Sequence, residues 1–140
     1  MHTTPPLRLA GDVRDGAPSS PVTGRRRAVG EYGERCAVRH LVESGLRVVA
    51  RNWRCAYGEI DIIAWDGDVL VFCEVKTRRG DAFGTPEEAV VGPKARRLRR
   101  LAAEWLRRTG THAEQVRFDV VAVYPARAGA ARVEHLRAAF

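Results

Sequence analysis

"GEIDIIAWDGDVLVFCEVKTR", residues 58–78, sets Glu59, Asp61, Glu74 and Lys76 inside two hydrophobic runs that meet at Asp66-Gly67. The runs are rich in β-branched residues, and Asp-Gly is a favoured two-residue hairpin loop, so the stretch reads as two antiparallel strands. Side chains alternate between faces of a strand. Ile60, Ile62 and Ala64 therefore share one face of the first strand, while Glu59, Asp61 and Ile63 share the other. With Asp66-Gly67 as the loop, Trp65 pairs with Asp68, Asp61 lies opposite Phe72 and Glu59 opposite Glu74. Asp61 and Glu74 become diagonal neighbours on one face, roughly 7–8 Å apart between Cα atoms.

Like charges set across a hairpin are destabilising unless something lies between them. Two carboxylates at that spacing can both reach a magnesium or manganese ion, at about 2.0–2.1 Å for magnesium. Lys76 projects to the same face, where its ammonium could hold an attacking water against a phosphate. The plain alternative is a solvent-facing hairpin with screened ion pairs worth ~0–1 kcal/mol. An acid-x-Lys inside a strong strand, an Asp on the partner strand and a basic chain around them favour the metal reading.

The formal charge is +7, from 24 basic and 17 acidic residues. That balance points to a polyanionic partner, nucleic acid or an acidic protein. Only Lys76 and Lys94 are lysines; all other basic residues are arginines. A chain that writes its positive charge as Arg keeps a Lys where a compact ammonium is needed. Cys36, Cys55 and Cys73 show no CxxC spacing, which speaks against a disulfide framework or a zinc site. No apolar run approaches the ~20 residues of a membrane span, and the N-terminus lacks the apolar segment of a secretory signal. A cytoplasmic protein is expected.

Working outward, residues 1–27 are rich in Pro, Gly, Ser and Thr, end in Arg25 to Arg27, and read as a flexible tail. Residues 28–140 form the single expected domain. Cys36, Ala37, His40, Leu41 and Val42 mark one face of a helix ended by Gly45. "LRVVARNW", residues 46–53, is a strand preceding the hairpin. Beyond the hairpin, Thr85, Pro86 and Glu88 form a capping box for a short helix. A longer helix over 94–108 carries Leu98, Leu101, Ala102, Trp105 and Leu106 as an apolar stripe. "QVRFDVVAVY", residues 115–124, is a fourth strand, and "RVEHLRAAF" offers a short fifth element. The order α-β-β-β-α-β predicts an α/β domain with a mixed sheet.

Together these motifs resemble the YraN family of small bacterial proteins, whose fold is similar to that of PD-(D/E)xK nucleases and archaeal Holliday-junction resolvases. "YGERCAVRHLVESGLRVVARNWR", "FGTPEEAV" with its basic helix and "VRFDVVAV" join the hairpin, in order, over roughly residues 28–140. The resemblance implies a restriction-endonuclease-like sheet flanked by helices. It assigns Asp61 as the motif aspartate, Glu74 as the second acid, Lys76 as the lysine and Glu34 as a helical glutamate completing the metal site. Ile60 stands where the pattern has Pro. By analogy with resolvases, a homodimer is possible.

Several residues keep two readings. Glu34 is either a metal ligand or a first-turn glutamate complementing the helix dipole. Glu59 binds a second ion or orients Lys76 or an arginine. Asp119 is an edge residue or the partner of a buried arginine. Arg78, Arg79, Lys94, Arg96, Arg97, Arg99 and Arg100 form either a solvated face or a set of phosphate contacts, with Lys94 at the rim of the apolar stripe. The expected function is magnesium-dependent cleavage of structured or branched DNA. The alternative is a nucleic-acid-binding module of the same fold without turnover, and a third is an adaptor for an acidic protein.

Overall fold

The computed structural model describes residues 21–78 and 92–140, with side chains from Ala28 onward. Seven elements follow in order: α1 (Pro21–Glu43), β1 (Arg47–Cys55), β2 (Gly58–Asp66), β3 (Val69–Thr77), α2 (Pro93–Thr109), β4 (Gln115–Tyr124) and β5 (Arg132–Leu136). The strands make one mixed sheet in the order β1-β2-β3-β4-β5. β1, β2 and β3 form an antiparallel meander. After the α2 crossover β4 returns parallel to β3, and β5 closes the edge antiparallel to β4.

The two helices cover opposite faces. Leu98, Leu101, Ala102 and Trp105 of α2 pack on Ile63, Trp65, Leu70, Phe72 and Phe118. Ala37 and Leu41 of α1 pack on Ile62, Ala64, Val71, Cys73, Val121 and Val123. β3 and β4 are thus buried on both sides, as strands in a parallel pair usually are, and their continuous apolar runs reflect it. The arrangement is the expected α/β fold and is consistent with a restriction-endonuclease-like sheet. The fifth element is a strand.

Four sequence expectations change. α1 begins at Pro21, ahead of the residues read as a helix, with Pro at the position where its missing N–H costs nothing, and Glu34 lies in its interior rather than its first turn. Val42 is 53% exposed and belongs to no core face. The hairpin loop is Gly67-Asp68, because Asp66 pairs with Val69 and Trp65 with Leu70. Gly67 leads the loop at φ 61°, as a loop with Gly first prefers. The two-residue shift preserves faces, since alternation has period 2.

The fourth change concerns the faces themselves. Ile60 packs with Ile63 on the α2 side, whereas Ile62 and Ala64 pack on the α1 side. The alternation slips once, at Asp61. On β1 the register brackets the same point, with Arg51 opposite Ile62 and Trp53 opposite Ile60. Between them Asn52 adopts φ 49°, a left-handed conformation that short polar side chains tolerate. The capping box at Thr85–Glu88 lies outside the described residues.

Candidate active site

The hairpin ladder runs from Asp66↔Val69 to Ile62↔Cys73 and then ends. Continued by one step, it would set Asp61 opposite Glu74 rather than diagonal to it. Instead, the Val75 N–H donates to Asp61 Oδ2 at 2.8 Å. A side-chain carboxylate replaces the next ladder bond. This anchor fixes Asp61 against the backbone residue that stands between Glu74 and Lys76.

Lys76 Nζ lies 3.2 Å from Glu74 Oε1, so the acid and the lysine of the triplet do share a face. A second ammonium joins them: Lys94 Nζ, from the first turn of α2, lies 2.9 Å from the same oxygen. Burial and the adjacent Lys94 ammonium push the pKa of Lys76 below the usual lysine range. Burial also works against charge on Lys94, but Lys76 and Glu74 outweigh it and raise its pKa.

Asp61 is the most perturbed carboxylate of the group. Burial raises its pKa, and so does the nearby charge of Glu74. The Val75 N–H works the other way, while Glu34 and Glu59 add to the rise, and the net effect places it at about 8. Glu34 thus belongs to the electrostatic surroundings of Asp61. Its helix comes in close: a Cβ on Gly33 would stand 1.9 Å from Thr77 Oγ1, so only glycine allows this approach of α1 to the end of β3. Glu59 accepts a hydrogen bond across the strands from Arg54 Nε at 3.0 Å.

The predicted basic run divides. Lys94 reaches the acid-lysine group, and the side chain of Arg97 runs close to Gly58 at the start of β2. Arg99 stacks its guanidinium over Phe118 at 5.0 Å, and Arg100 over Tyr57 at 3.8 Å. Arg96 is exposed, and the Arg78 N–H is tied to the Val123 carbonyl. Arg79 lies outside the described residues. Sequence reasoning missed Gly33 and Asn52. A glycine inside a helical pattern was the available signal for the first; nothing marked the second.

Oxygen donors of this kind suit a hard cation, and Asp61, whose pKa is raised first by burial and then by Glu74, is a carboxylate that such a cation would relieve. Among the described residues, no three His, Cys, Asp or Glu side chains converge closely enough to hold a metal alone. Magnesium does not require that, since it commonly binds one or two carboxylates and keeps waters and phosphate oxygens for the rest. Asp61 and Glu74 fit such a site.

A family model described as "Uncharacterised protein family UPF0102" matches residues 33–123. The chain belongs to this family. A UPF0102 protein of Salinispora arenicola (strain CNS-205) is 66% identical over 116 residues, covering 83% of this chain and 98% of the relative. One from Beutenbergia cavernae is 63% identical over 110 residues, covering 79% and 93%. One from Rhodococcus jostii (strain RHA1) is 54% identical over 113 residues, covering 81% and 96%. UPF0102 is the YraN family of the resemblance above. The matched UPF0102 segment runs from Gly33 to Val123 and so includes Glu34, Asp61, Glu74, Lys76 and Lys94. No helix among the described residues is long and apolar enough to cross a membrane.

Proposed function

We propose that this protein is a metal-dependent endonuclease that hydrolyses phosphodiester bonds in structured or branched DNA. The observation that carries the reading is the Val75 N–H to Asp61 bond, which ties one half-buried carboxylate to the strand residue between Glu74 and Lys76. Asp61 and Glu74 would hold magnesium or manganese, with Glu34 as a helper. Such an ion would polarise the scissile phosphate, lower the pKa of its water and stabilise the leaving oxygen.

Each side chain then has a role. Lys76 donates from its ammonium to a phosphate oxygen and aligns the incoming water. The burial that lowers its pKa also removes competing solvent, so the donor is directed at the substrate. Glu59 and Arg54 brace the start of β2. Arg78, Arg96 and Arg97 supply salt-dependent contacts to the DNA backbone, as Arg79 would. A cytoplasmic location and a homodimer matched to a twofold-symmetric junction would complete this picture.

The test is a panel of labelled linear, flap and four-way DNA substrates, incubated with magnesium and then manganese. Nicking is expected with the parent and lost in Glu74→Gln and Lys76→Met, with DNA binding retained. Equal nicking by parent and variants ends the reading. A second reading is a nucleic-acid-binding module of the same fold without turnover. It is favoured by the two ammonium groups that already neutralise Glu74. It expects salt-sensitive binding and no metal-dependent product on any substrate.

A further inference from the structure

Both lysines of the chain meet on one carboxylate. They are the only lysines among 24 basic residues, and their ammonium groups contact the same oxygen, Glu74 Oε1, at 3.2 Å and 2.9 Å. Lys76 belongs to β3 and Lys94 to α2, so the two come together through tertiary structure. Their side chains are 22% and 28% exposed, and that of Glu74 is 16% exposed. A solvated ion pair could use arginine here, as the exposed pairs Arg54–Glu59, Arg108–Glu104 and Arg132–Glu134 do. Lysine differs in being a compact point charge on a flexible stem, free to leave one oxygen for another without breaking a two-pronged fork.

At Glu74 Oε1 two ammonium groups meet on one carboxylate, which a single one would pair. Glu74 carries a single negative charge and faces two positive ones. Lys76 is bound to stay close, since its backbone is two residues along the same strand. Lys94 sits in the first turn of α2, beside Pro93 and after Gly92, whose φ is 55°. Its ammonium, on a flexible four-carbon stem, can turn to another oxygen. A divalent ion approaching Glu74 would meet the Lys94 ammonium already in position.

Resting on the metal-dependent reading above, we propose that Lys94 is a positioning residue: its ammonium occupies Glu74 as a surrogate cation and yields that oxygen to the divalent ion, turning to a phosphate of the nucleic acid. Lys94 and the metal therefore compete for one oxygen. Removing the competitor should strengthen metal binding, whereas damage to the fold would weaken it.

Manganese binding, followed by electron paramagnetic resonance without nucleic acid, distinguishes the two. The parent, Lys94→Met, Lys94→Gln, Lys94→Arg and Glu74→Gln are compared, each checked for native structure by circular dichroism. Lys94→Met and Lys94→Gln are expected to bind manganese about fivefold tighter, the change that one partly screened ion pair is worth. Lys94→Arg should bind no tighter than the parent, because the charge remains. Glu74→Gln should bind far more weakly. If the parent binds in a Glu74-dependent way but both neutral Lys94 variants bind equally or less tightly, this inference falls and the metal site stands. If Glu74→Gln binds as the parent does, or the parent binds none, the metal reading falls and takes this inference with it.

Discussion

Two aspartates in this sheet are both withdrawn from water, and they are treated oppositely. Asp119, on β4, is fully buried. Arg117 grips it with two bonds of 2.9 Å, His135 Nε2 lies 2.6 Å away, and the Ala138 N–H donates at 3.0 Å. Burial alone would raise its pKa, but His135, Arg117 and that backbone donor outweigh it and hold the carboxyl below its usual range. Arg117 also reaches Asp66 at 2.9 Å, linking β4 to the hairpin. Asp61 accepts a hydrogen bond from the Val75 N–H and feels the charges of Glu74, Glu34 and Glu59. Cys73 feels both, its thiol pushed up by burial and then by Asp119, with a smaller push from Asp61. One carboxylate is saturated with donors and is structural. The other is left wanting positive charge, which is what a ligand position requires.

The largest effect that would break this contrast is on Asp119. Asp119→Ala strands Arg117 and His135, and a loss of about 3–5 kcal/mol in urea unfolding is expected. A loss below about 1 kcal/mol would mean that its partners do nothing for the fold.

Asp61→Asn should do the reverse. The folded pKa of Asp61 is raised, so its charge is opposed by the fold. Without metal, stability should fall as pH rises from the ordinary carboxylate range near 3.8 towards about 8. Asp61→Asn should remove that slope and gain about 2–3 kcal/mol near pH 8. Manganese added to the parent at the same pH should raise its melting temperature. For Asp119 the folded pKa is lowered, so its contribution is present above the ordinary range and lost as pH falls below it. Unfolding curves across pH, in chelator, would show the two slopes, and an Asp61→Asn variant that keeps the parent's slope would refute the assignment.

Gly33→Ala forces α1 away from Thr77 and should cost about 1–3 kcal/mol. Because Glu34 moves with α1, the pH slope due to Asp61 should shrink as well. Thr77→Ala beside it should restore part of the stability, since the nearest clashing atom is gone. The smallest effect belongs to Asn52, where a β-branched residue resists positive φ: Asn52→Val should cost about 1–2 kcal/mol and Asn52→Gly almost nothing. Equal stability of those two would show that the slip at Asp61 is not held from β1.

The contrast also shows what a sequence can carry. β4 was legible to the residue, because Gln115–Tyr124 is a long β-branched run. α2 was legible because its stripe repeats at helical spacing and stops at Gly110, which is left-handed. Asp61, Glu74 and Lys76 were legible as charges out of place. Their register was not, because Asp66-Gly67 and Gly67-Asp68 both make two-residue loops and only packing chooses between them. The parallel pairing of β3 with β4 joins residues from Val69↔Gln115 to Thr77↔Val123, a separation that local patterns cannot encode. The anchoring of Asp61 by Val75 and the choice of His135 and Arg117 as partners for Asp119 depend on that pairing and on its neighbours. They emerge only in three dimensions.

Because two amines serve one carboxylate and every other cationic side chain is a guanidinium or an imidazole, ordinary acylating reagents have almost nowhere else to go. Apart from any terminal amine, each hydroxylamine-stable amide formed should lie at Lys76 or Lys94. Mass spectrometry of partly acylated protein would then read out ligand occupancy at this one spot, without a substrate or a nucleic-acid probe having been identified.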